Sequence, residues 1–206
     1  FGLTAVVALL VGGVFAFGVA MTRWEVVGLL GPGDFYTHLT LHAWNLLIFW
    51  MVFMEIAILY VGGPMVLGRR LPLTRVAKAG WATMVAGAVA INVSVFASSP
   101  PNYAPLLTAY APMQSSPWFY LGVVAFIVGA VVAALPFFLA IWRERRENPS
   151  DSLPLVAFGA FVTSIIAVEA LLGGLVTFGA ALLWRIDVLQ SMDAAWYRQM
   201  YWTIGH

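Results

Sequence analysis

Long apolar stretches alternate with short polar segments along the whole chain. A helix needs about 20 predominantly apolar residues to cross a bilayer, and the pattern predicts five complete helices of this kind, at roughly 2–22, 36–66, 78–98, 117–142 and 153–184. A sixth apolar stretch begins near Ala194 and reaches His206. The fifth is long for one span, and Gly173–Gly174 is a candidate kink. The pattern therefore predicts an all-α bundle of transmembrane helices, five of them complete.

The polar segments between these helices are short and rich in turn-forming residues: GPGD at 31–34, SSPPNYAP at 98–105 and RERRENPSDS at 143–152. Basic residues divide unequally between the two ends of the predicted bundle. One end has Arg69, Arg70, Arg75, Lys78, Arg143, Arg145 and Arg146, and the other has Arg23, Arg185 and Arg198. Because cytoplasmic loops carry an excess of lysine and arginine, we expect the N-terminus in the cytoplasm and both His42 and His206 in the outer half of the membrane.

The composition supports the membrane assignment and narrows the chemistry. Hydrophobic residues make up 62% of the chain and charged residues only 9%, with a mean hydropathy of +0.92. Soluble domains carry roughly 25% charged residues, so a soluble fold is excluded. The net charge of +1 gives no sign of nucleic-acid binding. Cysteine is absent, so a metal or haem in this chain must use histidine, methionine, carboxylate or tyrosine.

The two ends of the sequence suggest a larger polypeptide. The first residue is Phe1 rather than methionine, and His206 ends the chain inside an apolar, aromatic stretch. We therefore expect residues 1–206 to be the N-terminal portion of a single membrane domain that continues beyond the C-terminus.

Four ionisable residues are predicted at membrane depth: His42, Glu55, Glu169 and His206. Such residues are costly in lipid and are candidates for function. His42 lies in LTLHAWNLLIFW, where an unpartnered imidazole costs on the order of 1–3 kcal/mol. One interpretation is a hydrogen bond to a carbonyl of a neighbouring helix. The other is axial ligation of a haem iron, with a second acceptor holding the other ring nitrogen.

Other interpretations of these residues remain open. His38 and His42 are spaced i, i+4 and share a helix face, which suits a two-histidine metal site, but no third ligand lies nearby in sequence. Glu55 and Glu169 are candidate proton carriers, and the alternative is a protonated carboxyl that forms a hydrogen bond between helices. Asp193, Arg185 and Arg198 are candidates for binding haem propionates or a docking partner, and the alternative is that they anchor helix ends at the interface.

Three stretches resemble one known family. Thr40–Leu41–His42 opens the second span, LTAYAPMQSSPWFYLG occupies 107–122, and Trp202-x-x-Gly205-His206 heads the sixth span. In this order and spacing they resemble the N-terminal part of subunit I of haem–copper terminal oxidases. The B family, the ba-type cytochrome c oxidases of thermophilic bacteria and archaea, is the most similar. The resemblance covers essentially the whole chain.

The resemblance implies a function and a set of cofactors. His42 would be an axial ligand of a low-spin haem b, His206 would bind the active-site copper, and Trp202 would line that site. A second, high-spin haem of a- or b-type and the remaining ligands would come from the rest of subunit I. The whole enzyme would reduce O2 to water, coupled to proton translocation, in the plasma membrane of a bacterium or archaeon. Electrons would come from cytochrome c or a small copper protein through a subunit II with dinuclear copper.

Rival functions predict different features. A nitric oxide reductase of the same superfamily would replace the copper with iron and place carboxylates near it, and WTIGH contains none. A di-haem electron carrier would need paired histidines on facing spans, whereas the chain has three histidines and two of them share a helix. An ion-coupled transporter that uses Glu55 and Glu169 would show inverted repeats, and no internal repeat is evident.

Overall fold

The computed structural model describes the backbone of residues 1–99 and 104–205 and side chains as far as Trp202. Every regular element in the described part is helical, which confirms the all-α class. In chain order the elements are α1 Gly2–Arg23, α2 Pro32–Ala43, π1 Trp44–Phe49, α3 Trp50–Tyr60, π2 Val61–Met65, α4 Thr74–Phe96, α5 Pro117–Glu147, α6 Leu155–Arg185 and α7 Ala194–Gly205. Here π1 and π2 are π-helical segments.

Five of the described helical stretches are long and apolar enough to cross a membrane, as the sequence predicts. They are Gly2–Arg23, Pro32–Met65, Thr74–Phe96, Pro117–Glu147 and Leu155–Arg185. The second of these begins inside GPGD, which was predicted to be a turn. Gly31 is its N-cap and Pro32 occupies the first turn, where the fixed φ of proline suits a helix and its missing N–H costs nothing.

α6, which contains the candidate kink at Gly173–Gly174, is helical without interruption from Leu155 to Arg185, and the Thr177 hydroxyl donates to the Gly173 carbonyl at 2.9 Å. The second span passes through π1, then α3, then π2 around Pro64. Single π-helical turns inside α-helices occur frequently at functional sites.

The tightest helix packing joins α4 to α5 through four glycines. A Cβ on Gly80 or Gly87 would lie 2.7 Å or less from backbone atoms of α5, and a Cβ on Gly129 would lie 2.7 Å from the Met84 amide nitrogen of α4. Gly122 faces the Gly87 carbonyl in the same way. In membranes, small residues allow helix backbones to approach closely and to gain dispersion energy.

Three side-chain contacts show which helix ends lie next to each other. Near the N-terminus, the Trp81 indole N–H donates to the Thr4 hydroxyl at 2.9 Å. At the end of the bundle where α5 finishes, Arg69 forms an ion pair with Glu144. At the opposite end, Arg185 donates to the Ser115 carbonyl. The helices therefore alternate in direction, and the seven basic residues gather at the end where α1 begins.

Candidate functional site

His42 occupies the last turn of α2 and is half-buried against α1. Its Nδ1 lies 3.1 Å from the Gly12 carbonyl oxygen. Because a carbonyl can only accept, Nδ1 carries the proton and donates this bond. The Nε2 atom of the neutral ring therefore keeps its lone pair. This is the tautomer that binds a metal through Nε2 while the second ring nitrogen fixes the orientation of the imidazole.

Gly12 makes this hydrogen bond possible because it has no side chain. A Cβ built at Gly12 would lie 2.2 Å from Leu46 Cδ1 and 3.2 Å from Asn45 Cβ. Glycine thus lets α1 approach the second span closely enough for its carbonyl to reach His42. The pair GG at 12–13 is the only sequence signal, and nothing in it distinguishes Gly12 from Gly13, whose Cβ would meet nothing within 4 Å.

Asn45 stabilises the backbone just after the histidine. Its Nδ2 donates to the Leu41 carbonyl at 2.8 Å and to Asn92 Oδ1 of α4 at 2.7 Å. Asn92 in turn donates to the Ala88 carbonyl. Asn45 is 3% exposed, and it begins the backbone irregularity of π1 together with Trp44. Sequence reasoning missed both asparagines, although an amide within an apolar membrane helix is itself a signal for a polar contact between helices.

His38 lies one turn before His42 and has different contacts. Its Nδ1 donates to the Asp34 carbonyl of the same helix at 2.9 Å, and its ring contacts Gly18 and packs edge-on against Phe15. In the part of the chain that the structure describes, no group of three or more histidine, cysteine, aspartate or glutamate residues is placed to hold a metal.

Residues 104–116 of the α4–α5 connection (the 104–116 loop) contact the helix of His42. The Thr40 hydroxyl accepts from the Leu106 amide at 3.1 Å, and the Trp44 indole donates to the Leu106 carbonyl at 2.9 Å. Leu106 has a φ of 58°, a left-handed conformation that costs a non-glycine residue roughly 1–2 kcal/mol. Hydrogen bonds on both sides of Leu106 hold it in that conformation.

The same loop also contacts α6 and α7. The Tyr197 hydroxyl donates to the Thr108 carbonyl at 3.1 Å, and Arg185 donates to the Ser115 carbonyl at 2.9 Å and to Gln114 Oε1 at 3.0 Å. The 104–116 loop therefore joins the helix of His42 to the helix that leads toward His206. Arg185 thus holds this loop through two hydrogen bonds, a role that the sequence did not predict.

The whole chain, residues 1–206, matches the family model described as "Cytochrome C and Quinol oxidase polypeptide I". The chain belongs to this family. It is 26% identical over 176 residues to cytochrome c oxidase subunit 1 of Thermus thermophilus, which covers 84% of this chain and 30% of that relative. A solved heme-copper terminal oxidase dimer has the same fold, with a TM-score of 0.79 and 24% identity over 98% of this chain.

The oxidase polypeptide I family consists of membrane-embedded oxidoreductase subunits that use haem and copper. This chain spans 30% of the length of the Thermus relative and 35% of the solved chain, and it corresponds to their N-terminal part. Membership of this family supports neither of two rival functions, the ion-coupled transporter and the di-haem electron carrier. His42 fits the haem, because its Nδ1–H is already engaged and its Nε2 is available. His206, the predicted copper ligand, lies outside the described residues.

Trp202 lies on α7 near the end of the described region of this oxidase polypeptide. Its indole N–H donates to the Tyr110 hydroxyl of the 104–116 loop, and its ring packs edge-on against Tyr201 at 5.2 Å. The side chain is 46% exposed. It lies four positions before His206 in the sequence, and its place as a lining residue of the copper site stays a prediction.

The two membrane glutamates lie in different surroundings. Glu55 lines two cavities of about 390 and 400 Å³ between the second span, α5 and α6. One cavity contains Thr163 and Ser164, and the other reaches Trp44 and Tyr201. Both glutamates are exposed in the described structure, but Glu169, on α6, lines neither cavity. The described helices therefore do not bring the two carboxyl groups into one site.

Proposed function

We propose that this chain is the N-terminal part of the catalytic subunit of a respiratory terminal oxidase. The whole enzyme would reduce O2 to water with electrons from cytochrome c or a small copper protein, coupled to proton translocation. The three stretches around His42, Tyr110 and His206 favour the B family, the ba-type cytochrome c oxidases. When bound, the haems and copper supply electron transfer and the reduction of O2.

The observation that carries this proposal is the hydrogen bond from His42 Nδ1 to the Gly12 carbonyl. It supports the tautomer in which Nε2 keeps its lone pair, and that lone pair would be available to a haem iron. The other protein ligand of this haem would come from the rest of subunit I. Held by two protein ligands, the haem would supply electron transfer rather than O2 binding. This chain would thus hold one side of the low-spin haem b.

The remaining assignments belong to the same proposal. His206 would supply one of the copper ligands, with Trp202 lining the site, and the other ligands and the second, high-spin haem would come from the rest of subunit I. Glu55 is the stronger candidate for proton transfer, because it lines cavities that contain Thr163, Ser164 and Tyr201. Glu169 stays the weaker candidate. A subunit II with dinuclear copper would deliver the electrons, and the complex would reside in a bacterial or archaeal plasma membrane.

An optical spectrum of the whole purified complex tests the role of His42. We expect His42→Asn to abolish the low-spin b-type band in the reduced-minus-oxidised spectrum and to lower the haem content. His38→Asn is the matched control, since it removes an imidazole one turn away on the same helix, and it should keep the band. An unchanged band in a folded His42→Asn complex would overturn the assignment.

His206 is tested by a separate metal analysis. His206→Asn should lower the copper content while the low-spin haem band of the same preparation stays at the wild-type level. Loss of the haem band with copper retained would contradict the division of ligands proposed for this chain.

A further inference from the structure

A second concave site lies at the end of the bundle where the seven basic residues gather. A cavity of about 200 Å³ opens between the segment that follows π2 and the last turns of α5, and its charged walls are Arg69, Arg70, Arg143, Glu144 and Glu147. This is smaller than the roughly 300–1,000 Å³ of pockets for drug-sized ligands. It suits a small charged group.

The carboxylates in this cavity are already engaged. Arg69 Nε contacts Glu144 Oε2 at 2.9 Å, and its guanidinium contacts Glu147 Oε2 at 2.6 Å. Glu144 Oε1 also accepts from the Asn148 amide at 2.7 Å. Hydrogen bonds to Glu147 and Glu144 raise the pKa of Arg69 above its ordinary value. Arg69 therefore stays charged and is paired with both carboxylates.

Two neighbouring arginines, Arg145 and Arg146, also interact with other groups. Arg145 donates to the carbonyl oxygens of Pro149 and Asp151, which follow α5. Arg146 lies over the ring of Trp142, with its guanidinium carbon 5.3 Å from the ring centroid. Both guanidinium groups thus organise the end of α5 and the loop after it.

Arg70 and Arg143 are the two remaining arginines of the cavity. Within the described residues neither guanidinium has an ion pair or hydrogen bond, and both line the cavity. With Arg69 they outnumber the two glutamates, so the cavity carries one net positive charge. Guanidinium groups bind phosphate oxygens in a bidentate manner. An unpaired pair of arginines in a small concave site is suited to one phosphate group.

The position of the cavity along α5 indicates the source of that phosphate. Ala140, in its wall, belongs to the apolar part of α5, and the charged run RERRE begins at Arg143, directly after the exposed Trp142. Tryptophan is enriched where a membrane helix meets the headgroup region. The cavity therefore lies at the depth of lipid headgroups, with apolar helix surface below it for acyl chains.

We propose that Arg70 and Arg143 form a binding site for the phosphate of an anionic phospholipid at this face of the membrane. Arg69 compensates the charges of Glu144 and Glu147 within the site, so that Arg70 and Arg143 are left to bind the phosphate. Phosphatidylglycerol has the required chemistry, because its headgroup carries the phosphate charge and no positive group to offset it. This site is independent of the haem and copper ligands.

Native mass spectrometry of the whole complex, delipidated and titrated with phosphatidylglycerol, tests the proposal. R70Q/R143Q should retain one phosphatidylglycerol fewer than the wild type. The matched control is R75Q/K78Q, which removes two basic residues at the same end of the bundle and outside the cavity, and it should retain the wild-type number. Equal retention in all three complexes, or equal loss in both variants, would overturn the proposal.

Two further measurements guard against failed assembly and against another source of phosphate. A photoactivatable phosphatidylglycerol added to the wild-type complex should form adducts in the peptides around residues 66–72 and 140–147, and their absence would overturn the site. Inorganic phosphate at millimolar concentration should leave these adducts unchanged. If free phosphate abolishes them, the site binds a soluble anion and the assignment to a lipid is wrong.

Discussion

At the scale of single residues, a glycine and a histidine 30 positions apart define the candidate haem site. His42 is recognisable in the sequence, because an imidazole in an apolar helix requires partners. Its acceptor is not recognisable, because Gly12 contributes a backbone carbonyl and a backbone carbonyl has no sequence signature. The role of Asn45 is likewise visible only in the structure. Its side chain donates to the Leu41 carbonyl and to Asn92 on the neighbouring helix α4.

Replacing Gly12 tests whether close approach of α1 orients His42. In Gly12→Ala the new Cβ would overlap Leu46 Cδ1, the end of a side chain that can rotate away, and would lie 3.2 Å from Asn45 Cβ. We therefore expect α1 to shift slightly and the Nδ1–H bond to weaken. The cost should be about 0.5–1.5 kcal/mol of stability, as for one displaced side-chain rotamer. The low-spin haem band of the whole complex should shift. Gly13→Ala, whose Cβ meets nothing within 4 Å, should leave the spectrum and the melting temperature unchanged. Equal behaviour of the two variants would argue against this role.

At the scale of helices, hydrophobic length predicts the elements well and their irregularities poorly. Five spans were predicted and five are present in the described residues, because a run of apolar residues is a local property of the sequence. Gly173–Gly174 is a candidate kink or change of tilt, and α6 stays helical through it, as expected where a broken backbone ladder would be costly in lipid. The π-helical segments lie in the second span, where Asn45 and Pro64 contribute to the altered hydrogen bonding.

The α4–α5 interface gives a prediction at this scale. In Gly87→Ala the added Cβ would lie 2.6 Å from the Gly122 carbonyl oxygen and from the Phe126 amide nitrogen. Both atoms are backbone, so no side-chain rotation relieves the overlap and the helices must separate. We expect a loss of about 1–3 kcal/mol, measured as a lower unfolding temperature in detergent. Gly179→Ala in α6, which meets nothing within 4 Å, is the control. An interface that tolerates both changes equally would show that glycine packing is not what holds α4 to α5.

At the scale of the whole molecule, the 104–116 loop connects parts of the chain that are distant in sequence. It reaches Thr40 and Trp44 beside His42 on one side and Tyr197 and Arg185 on the other. The aromatic residues Trp44, Phe119, Phe178 and Tyr197 pack edge-on beneath it. This arrangement links α2, which carries His42, to α7 through a loop that contains no histidine.

Removing one hydroxyl tests this connection. Tyr197→Phe leaves the Thr108 carbonyl without its donor and keeps the ring contacts. We expect a loss of about 0.5–1.5 kcal/mol, the usual net worth of one hydrogen bond, in thermal unfolding of the whole complex. Tyr201→Phe alters a neighbouring ring that packs against the same Phe178 and should change stability less. If Tyr201→Phe lowers stability more than Tyr197→Phe does, the hydrogen bond from Tyr197 to Thr108 does not stabilise the loop.

The sequence by itself determined the membrane class, the number of complete spans, the histidines worth testing and the family. Each follows from local apolar length or from short motifs. Only the tertiary structure decided that Gly12 holds His42, that four glycines join α4 to α5, and that the 104–116 loop joins α2 to α7. The physical reason is common to all three: these contacts use backbone atoms or missing side chains, and their partners lie on other helices. Residue type alone does not specify such a partner.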